Sequence, residues 1–134
     1  MRVPAERNRG VVLLLDTSFL VELEDEVVRR AAGPASAVLA AHRRAPVAIS
    51  IVSFGEFAEG FTEAVAFNAF ISRFRVLQLS RAIAWRAAAV QSSLSRRLGE
   101  NDAWIAATAL VYEATLVGRE RAFLRVPRLD YQTF

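Results

Sequence analysis

The sequence predicts a single α/β domain, an α/β/α sandwich in which helices flank a mainly parallel sheet of four to five strands. Short β-rich or apolar runs occur at residues 11–15, 47–51, 76–79 and 115–117, and segments with helical periodicity separate them. Strands that alternate with helices are typical of a parallel sheet. The chain has 134 residues, of which 54% are hydrophobic, so it can form one sizeable core but not two.

The first strand is predicted at residues 11–15, where an unbroken apolar run is too short for a helix core. It ends on Asp16. Ligands of α/β proteins bind at the carboxyl ends of parallel strands, so this carboxylate is a candidate for chemistry. Asp16 is equally well placed to cap a helix that begins near Ser18 and runs to about Leu23, because Asp is a preferred N-cap residue. The residue alone does not decide between these roles.

A second helix is predicted after the break at Gly33-Pro34, since proline is favoured in the first turn of a helix. His42 lies at the end of that helix and is expected to be a helix-terminus side chain. The second strand, residues 47–51, precedes Ser53 and Glu56, which match the S-x-x-E capping box. Glu56 either caps a helix that starts at Ser53 or points into the same crevice as Asp16.

The second half of the chain continues the pattern. A helix between residues 63 and 74 carries an aromatic stripe that favours a core or subunit interface. Ser80 is expected to cap a long helix that Gly99 ends. Asp102 then lies in the first turn of a helix rich in small residues, where the helix dipole alone would favour a carboxylate. The last segments are a strand at 115–117, a turn at 118–121 that contains Glu120, and an edge strand near Leu129–Tyr131.

The composition excludes several kinds of site. The chain has no cysteine and one histidine, so disulfides, thiolate chemistry and His-rich metal sites are excluded. No apolar run is long enough for a transmembrane helix, and the first residues lack the apolar segment of a signal peptide. We therefore expect a cytoplasmic protein. Residues 1–10 are expected to form a mobile basic arm, and residues 11–134 the single domain.

Four carboxylates would meet at one end of the predicted sheet: Asp16, Glu56, Asp102 and Glu120. Each like-charge contact would cost about 1–4 kcal/mol, so the cluster requires a counter-charge. A divalent cation supplies one, and oxygen-only ligation favours Mg²⁺ or Mn²⁺ over Zn²⁺. Such a cluster is suited to metal-dependent hydrolysis of a phosphodiester.

All 17 basic residues are arginine, for a net charge of +3. Arginine binds phosphate bidentately, so the chain is suited to a polyanionic substrate. Coding bias and ordinary solvated helix faces explain the same arginines without any ligand. The arginines that flank the predicted acidic crevice in sequence are the candidates for RNA contact: Arg86, Arg96, Arg97, Arg119 and Arg121.

Four segments carry a family resemblance. They are LLLDTSFLVEL at 13–23, SIVSFGEFAEG at 50–60, RLGENDAWIAATALVYEATLV at 97–117 and the tail at 123–129. In this order they resemble the PIN-domain ribonucleases, most of all the VapC-like toxins of bacterial type II toxin-antitoxin modules. The strongest block is DAWIAATAL, which begins at Asp102.

The resemblance implies that Asp16, Glu56 and Asp102 bind the metal and catalyse, with Thr17 or Ser18 as polar support. The family's fourth acid usually follows the last core strand in a T-x-D or T-x-N block, where this chain has Gly118-Arg119-Glu120. Glu120 is thus the fourth catalytic candidate. Glu100 is the alternative fourth acid, although a solvated side chain is the favoured interpretation of Glu100.

The resemblance further implies a PIN-like sandwich and an Mg²⁺- or Mn²⁺-dependent endoribonuclease that acts on tRNA or rRNA. It also implies a homodimer inhibited by a cognate VapB-like antitoxin. One alternative is a PIN-type RNA-processing nuclease without an antitoxin. Another is a non-enzymatic Mg²⁺-binding receiver-like module, which the lack of any lysine disfavours. A catalytically inactive RNA-binding relative would lack one of the core acids, and all three are present.

Overall fold

The computed structural model describes residues 12–134, so the expected basic arm at 1–10 lies outside the described residues. A sheet of five parallel strands, in the order β3-β2-β1-β4-β5, forms the centre of the fold. The α/β class and the parallel sheet agree with the prediction. The predicted edge strand is present as the fifth strand of the sheet. The strands are β1 (Leu13–Leu15), β2 (Val47–Ser50), β3 (Arg75–Leu77), β4 (Thr115–Gly118) and β5 (Asp130–Thr133).

Six α-helices connect the strands, and a 3₁₀-helix joins the last two strands. The α-helices are α1 (Thr17–Arg29), α2 (Pro34–Ala41), α3 (Ile51–Ala58), α4 (Ala64–Ile71), α5 (Arg81–Ser93) and α6 (Glu100–Val111). The 3₁₀-helix is Arg121–Arg125. Among the described residues, no helix is long and apolar enough to cross a membrane.

The two faces of the sheet bury separate apolar clusters, as the alternation of side chains along a strand requires. Leu13, Leu15 and Val117 point to one face and pack with residues of α1, α2, α3 and α4. The aromatic stripe of α4 belongs to this cluster, so it is core. Leu14 and Leu116 point to the other face and pack against α5 and α6. Helices on both faces give the expected three layers.

Several helix boundaries differ from the sequence-based expectation, and α1 runs to Arg29, beyond the expected end near Leu23. Helix α3 begins one turn earlier than the capping box indicates, and its N-cap is Ser50, whose hydroxyl accepts from the N–H of Ser53 at 3.0 Å. Ser53 is therefore inside the helix, and the capping-box interpretation of Glu56 is wrong. Gly99 does not end α5, which stops at Ser93. Gly99 is instead the extended residue before α6.

Candidate active site

One open pocket lies at the carboxyl ends of β1, β2 and β4. Strand order reverses at β1, with β2 on one side and β4 on the other, and ligands of open α/β sheets bind at such a switch point. The pocket is lined by the four predicted acids and by neighbouring residues of α1, α3 and α6. The lining residues are Asp16, Thr17, Ser18, Val21, Glu56, Glu59, Asn101, Asp102, Ile105 and Glu120.

Asp16 is held by the helix that follows it. The residue is only 3% exposed, and its Oδ1 accepts from the Ser18 hydroxyl at 2.6 Å and from the Phe19 N–H at 3.0 Å. Burial raises the pKa of Asp16, and these hydrogen bonds offset part of that rise. Asp16 therefore caps α1 and lines the pocket at the same time. The capping role is confirmed, and the role in chemistry stays a prediction.

Glu56 is fixed by two side chains from other elements. The Thr17 hydroxyl donates to Oε1, and the amide of Asn101 donates to Oε2 at 2.8 Å. Both oxygens therefore contact side chains of other elements, and Glu56 belongs to the pocket wall. The two hydroxyls after Asp16 thus have separate partners: Ser18 contacts Asp16, and Thr17 contacts Glu56.

Asp102 lies in the first turn of α6 and is half-buried beside the other acids. Burial and the negative charges of Glu120, Glu56 and Asp16 raise the pKa of Asp102 to about 6. All of these effects oppose ionisation, so no neighbouring group compensates the negative charge of Asp102. The described residues contain no ion pair between an arginine and any of the four acids.

Glu120 has the most exposed position of the four acids. Its side chain caps the 3₁₀-helix by accepting from the Ala122 N–H at 3.3 Å.

Gly118, the last residue of β4, leaves room for the Asp16 carboxylate. A β-carbon at Gly118 would lie 2.1 Å from Asp16 Oδ2. The absence of a side chain at Gly118 therefore allows the Asp16 carboxylate to lie against β4.

The pocket offers oxygen donors only, which is the ligand chemistry of Mg²⁺ and Mn²⁺. Over residues 12–134, no three acidic or histidine side chains form a complete ligand group by themselves. Mg²⁺ commonly binds through one or two carboxylates and keeps several waters, so it does not require such a group. The uncompensated charge around Asp102 and the donor set both fit a divalent cation.

The structure places the remaining predicted residues outside the pocket. Glu100 points away and pairs weakly with Arg97 at 3.5 Å on the exposed face of α6. Arg119 contacts Glu22 at 3.4 Å, and its guanidinium lies 4.2 Å over the ring of Phe134. The other arginine candidates, Arg86, Arg96 and Arg121, do not line the pocket either.

Sequence reasoning missed Asn101 and Glu59. Asn101 directly precedes Asp102 in the first turn of α6, and its contact with Glu56 spans 45 positions, so no local pattern indicates it. Glu59 follows Glu56 by three residues, which is the spacing of neighbours on one helix face. This spacing could have indicated that Glu59 lies on the same helix face as Glu56.

The PIN domain family matches the chain over residues 13–129. A comparison of the chain with curated protein sequences found no match. Among solved structures, a toxin-antitoxin complex from Klebsiella pneumoniae shares 26% identity with a TM-score of 0.69, covering 90% of this chain and 96% of the other.

Two further solved structures share the fold. VapBC2 from Rickettsia felis, bound to a promoter DNA fragment, has a TM-score of 0.77 at 20% identity, covering 92% of this chain and 99% of the other. VapBC-1 from nontypeable Haemophilus influenzae has a TM-score of 0.68 at 22% identity, covering 92% of this chain and 98% of the other.

Proposed function

The chain belongs to the PIN domain family, and from this membership and the acidic pocket we propose that it is a metal-dependent endoribonuclease, the toxin of a toxin-antitoxin pair. The observation that carries the proposal is the convergence of Asp16, Glu56, Asp102 and Glu120 without an arginine partner. Such a pocket repels a bare phosphodiester and accepts one only together with cations.

We assign Asp16 and Asp102 to metal binding, directly or through water, and Glu56 to completing or positioning the site, with Glu120 as a fourth acid at the rim of the pocket. When bound, Mg²⁺ or Mn²⁺ activates water as a nucleophile and neutralises the charge that develops on the phosphate. Neighbouring polar side chains orient the carboxylates of the pocket. Ser18 fixes the Asp16 carboxylate, while Thr17 and Asn101 fix both oxygens of Glu56.

The proposed partner is a VapB-like antitoxin, and the proposed substrate is RNA of the tRNA or rRNA class, cleaved in the cytoplasm by a homodimer. The likeness to a toxin-antitoxin complex at 26% identity supports the partner, and the further VapBC structures share the same fold. The surplus of arginine, which gives the chain a net charge of +3, supports an anionic substrate.

The test is cleavage of total RNA by the purified chain with Mg²⁺, Mn²⁺ or EDTA, beside the variant Asp16→Asn. Asparagine keeps the N-cap of α1, so the melting temperature should change little. Replacing the carboxylate by an amide removes the charge that attracts the cation, so cleavage should fall by about 100-fold or more. Sequencing the new RNA ends then identifies the target.

Equal cleavage by wild type and Asp16→Asn would contradict the assignment of the pocket. If both proteins are inert while Mn²⁺ still raises the melting temperature of the wild type alone, the pocket binds metal without cutting RNA. Glu113→Gln provides a matched control, because Glu113 is an exposed acid outside the pocket.

A further inference from the structure

The hydroxyl of Tyr131 is a buried polar group without a hydrogen-bond partner among the described residues. The ring of Tyr131 packs against Phe123 with 5.3 Å between centroids, so the ring has a structural role. The hydroxyl takes no part in that ring packing. A buried donor left without a partner is disfavoured, and such groups in native proteins call for an explanation.

Tyr131 lies on the same face of the sheet as the Asp16 carboxylate. Leu14 and Leu116 pair with one another, and Tyr131 pairs with Leu116 on the neighbouring strand. All three belong to the apolar cluster beneath α6. Because side chains alternate along a strand, Asp16 and Gly118 continue this face one step further toward the pocket.

Because Gly118 has no side chain, the Asp16 carboxylate takes the place of its β-carbon, one strand away from Tyr131 on the same face. The two side-chain hydrogen bonds that Asp16 accepts both reach Oδ1, while Oδ2 lies where a side chain of residue 118 would be. The electrostatic surroundings of the phenol agree with this placement. Burial raises the pKa of Tyr131, the negative charges of Asp16 and then Glu120 raise it further, and the nearby backbone N–H of Glu120 offsets part of the rise.

We propose that Tyr131 is a positioning residue of the acidic pocket, whose hydroxyl donates a hydrogen bond through one water molecule to Oδ2 of Asp16. This water-mediated contact passes over Gly118 and orients the carboxylate from the side of β5, while Ser18 and Phe19 hold the other oxygen. The inference rests on the proposed function, since it assigns Tyr131 to the same site.

The test compares Tyr131→Phe with Tyr112→Phe, the matched removal of the chain's other tyrosine hydroxyl. Tyr112 is exposed at the end of α6, away from the pocket. We expect Tyr131→Phe to lower kcat for RNA cleavage by about tenfold, the effect of losing one hydrogen bond to a charged group, with KM unchanged. It should also raise several-fold the Mn²⁺ concentration that gives half of the rise in melting temperature.

Wild-type values for Tyr131→Phe in both measurements would overturn the proposal. A lower melting temperature with unchanged kcat and unchanged Mn²⁺ response would also overturn it, because a purely structural hydroxyl predicts that result. If the wild type cuts no RNA, the proposed activity fails, yet the Mn²⁺ titration still decides the role of Tyr131. If Mn²⁺ does not alter the wild type's melting temperature, both proposals are rejected.

Discussion

Asp102 is a residue that opposes folding at neutral pH and that the proposed nuclease would use to bind its metal. Burial and three neighbouring carboxylates raise its pKa to about 6, so at neutral pH the folded chain holds a charge that its surroundings disfavour. An acid whose pKa is raised on folding reduces stability as the pH rises from its unfolded value toward its folded value. In the folded, metal-free protein this loss is complete above about pH 6.

We therefore expect Asp102→Asn to stabilise the metal-free protein at pH 7.5 by on the order of 1–2 kcal/mol, a few degrees in melting temperature. The same variant should lose RNA cleavage. Thermal unfolding in EDTA measures the first effect, and the gain should shrink as the pH is lowered to about 5. A variant that is less stable than the wild type at pH 7.5 would contradict the electrostatic interpretation.

The connection between α1 and α2 depends on a buried acid that the site does not use. Glu26 is 2% exposed, and its carboxylate accepts from the N–H groups of Gly33, Ala35 and Ser36 at 2.9–3.0 Å. Burial alone would raise the pKa of Glu26, but the hydroxyl of Ser36 and these N–H groups outweigh it and lower the pKa to about 2. One side chain thus satisfies the free N–H groups at the start of α2.

A lowered pKa in the folded state contributes stability above the unfolded value, here 4.5, and this stability is lost as the pH falls toward 2. We expect Glu26→Gln to reduce the free energy of unfolding at pH 7 by about 1–3 kcal/mol, because a neutral amide accepts more weakly. Urea unfolding from pH 7 to pH 3 measures the effect. The wild type should lose its advantage over the variant as the pH falls, and a constant difference would contradict the role of the charge.

At the scale of the domain, the four pocket acids and the five candidate arginines lie in different places. The four acids converge at the switch point of the sheet, and none of the five arginines proposed for RNA contact lines that pocket. Such an arrangement separates two tasks in the proposed nuclease. The arginines would bind the RNA backbone, while the acids would act on one phosphate.

This separation predicts that RNA affinity depends on salt without depending on the acids. Binding of single-stranded RNA by Asp16→Asn should weaken as salt rises, with a slope that decreases by roughly 0.7 for each phosphate contact removed. Fluorescence anisotropy of a labelled RNA measures that slope. Arg96→Ala and Arg97→Ala should reduce it, since both side chains are exposed. Arg44→Ala is a control from outside the proposed set, because Arg44 is exposed in the turn before β2, and an equal effect there would indicate nonspecific attraction.

Much of the fold and part of the site could be predicted from the sequence. The apolar runs and the helical segments between them predict a parallel sheet, and the structure has that sheet. The same runs place Asp16 and Glu56 after adjacent strands, because strand ends are local features of a chain. Ser80 was correctly predicted as a helix cap, since capping depends on residues only three apart.

Tertiary structure decided the partner of each polar group. Thr17 contacts Glu56 over 39 positions, and Asn101 contacts it over 45, so no local spacing distinguishes a helix cap from a pocket wall. The effect of Gly118 on Asp16 likewise depends on the pairing of β1 with β4. By itself the sequence determined the elements and the acids that follow them, because periodicity and capping act within a few residues. The packing of strands and helices decided which groups meet, because those contacts join distant parts of the chain.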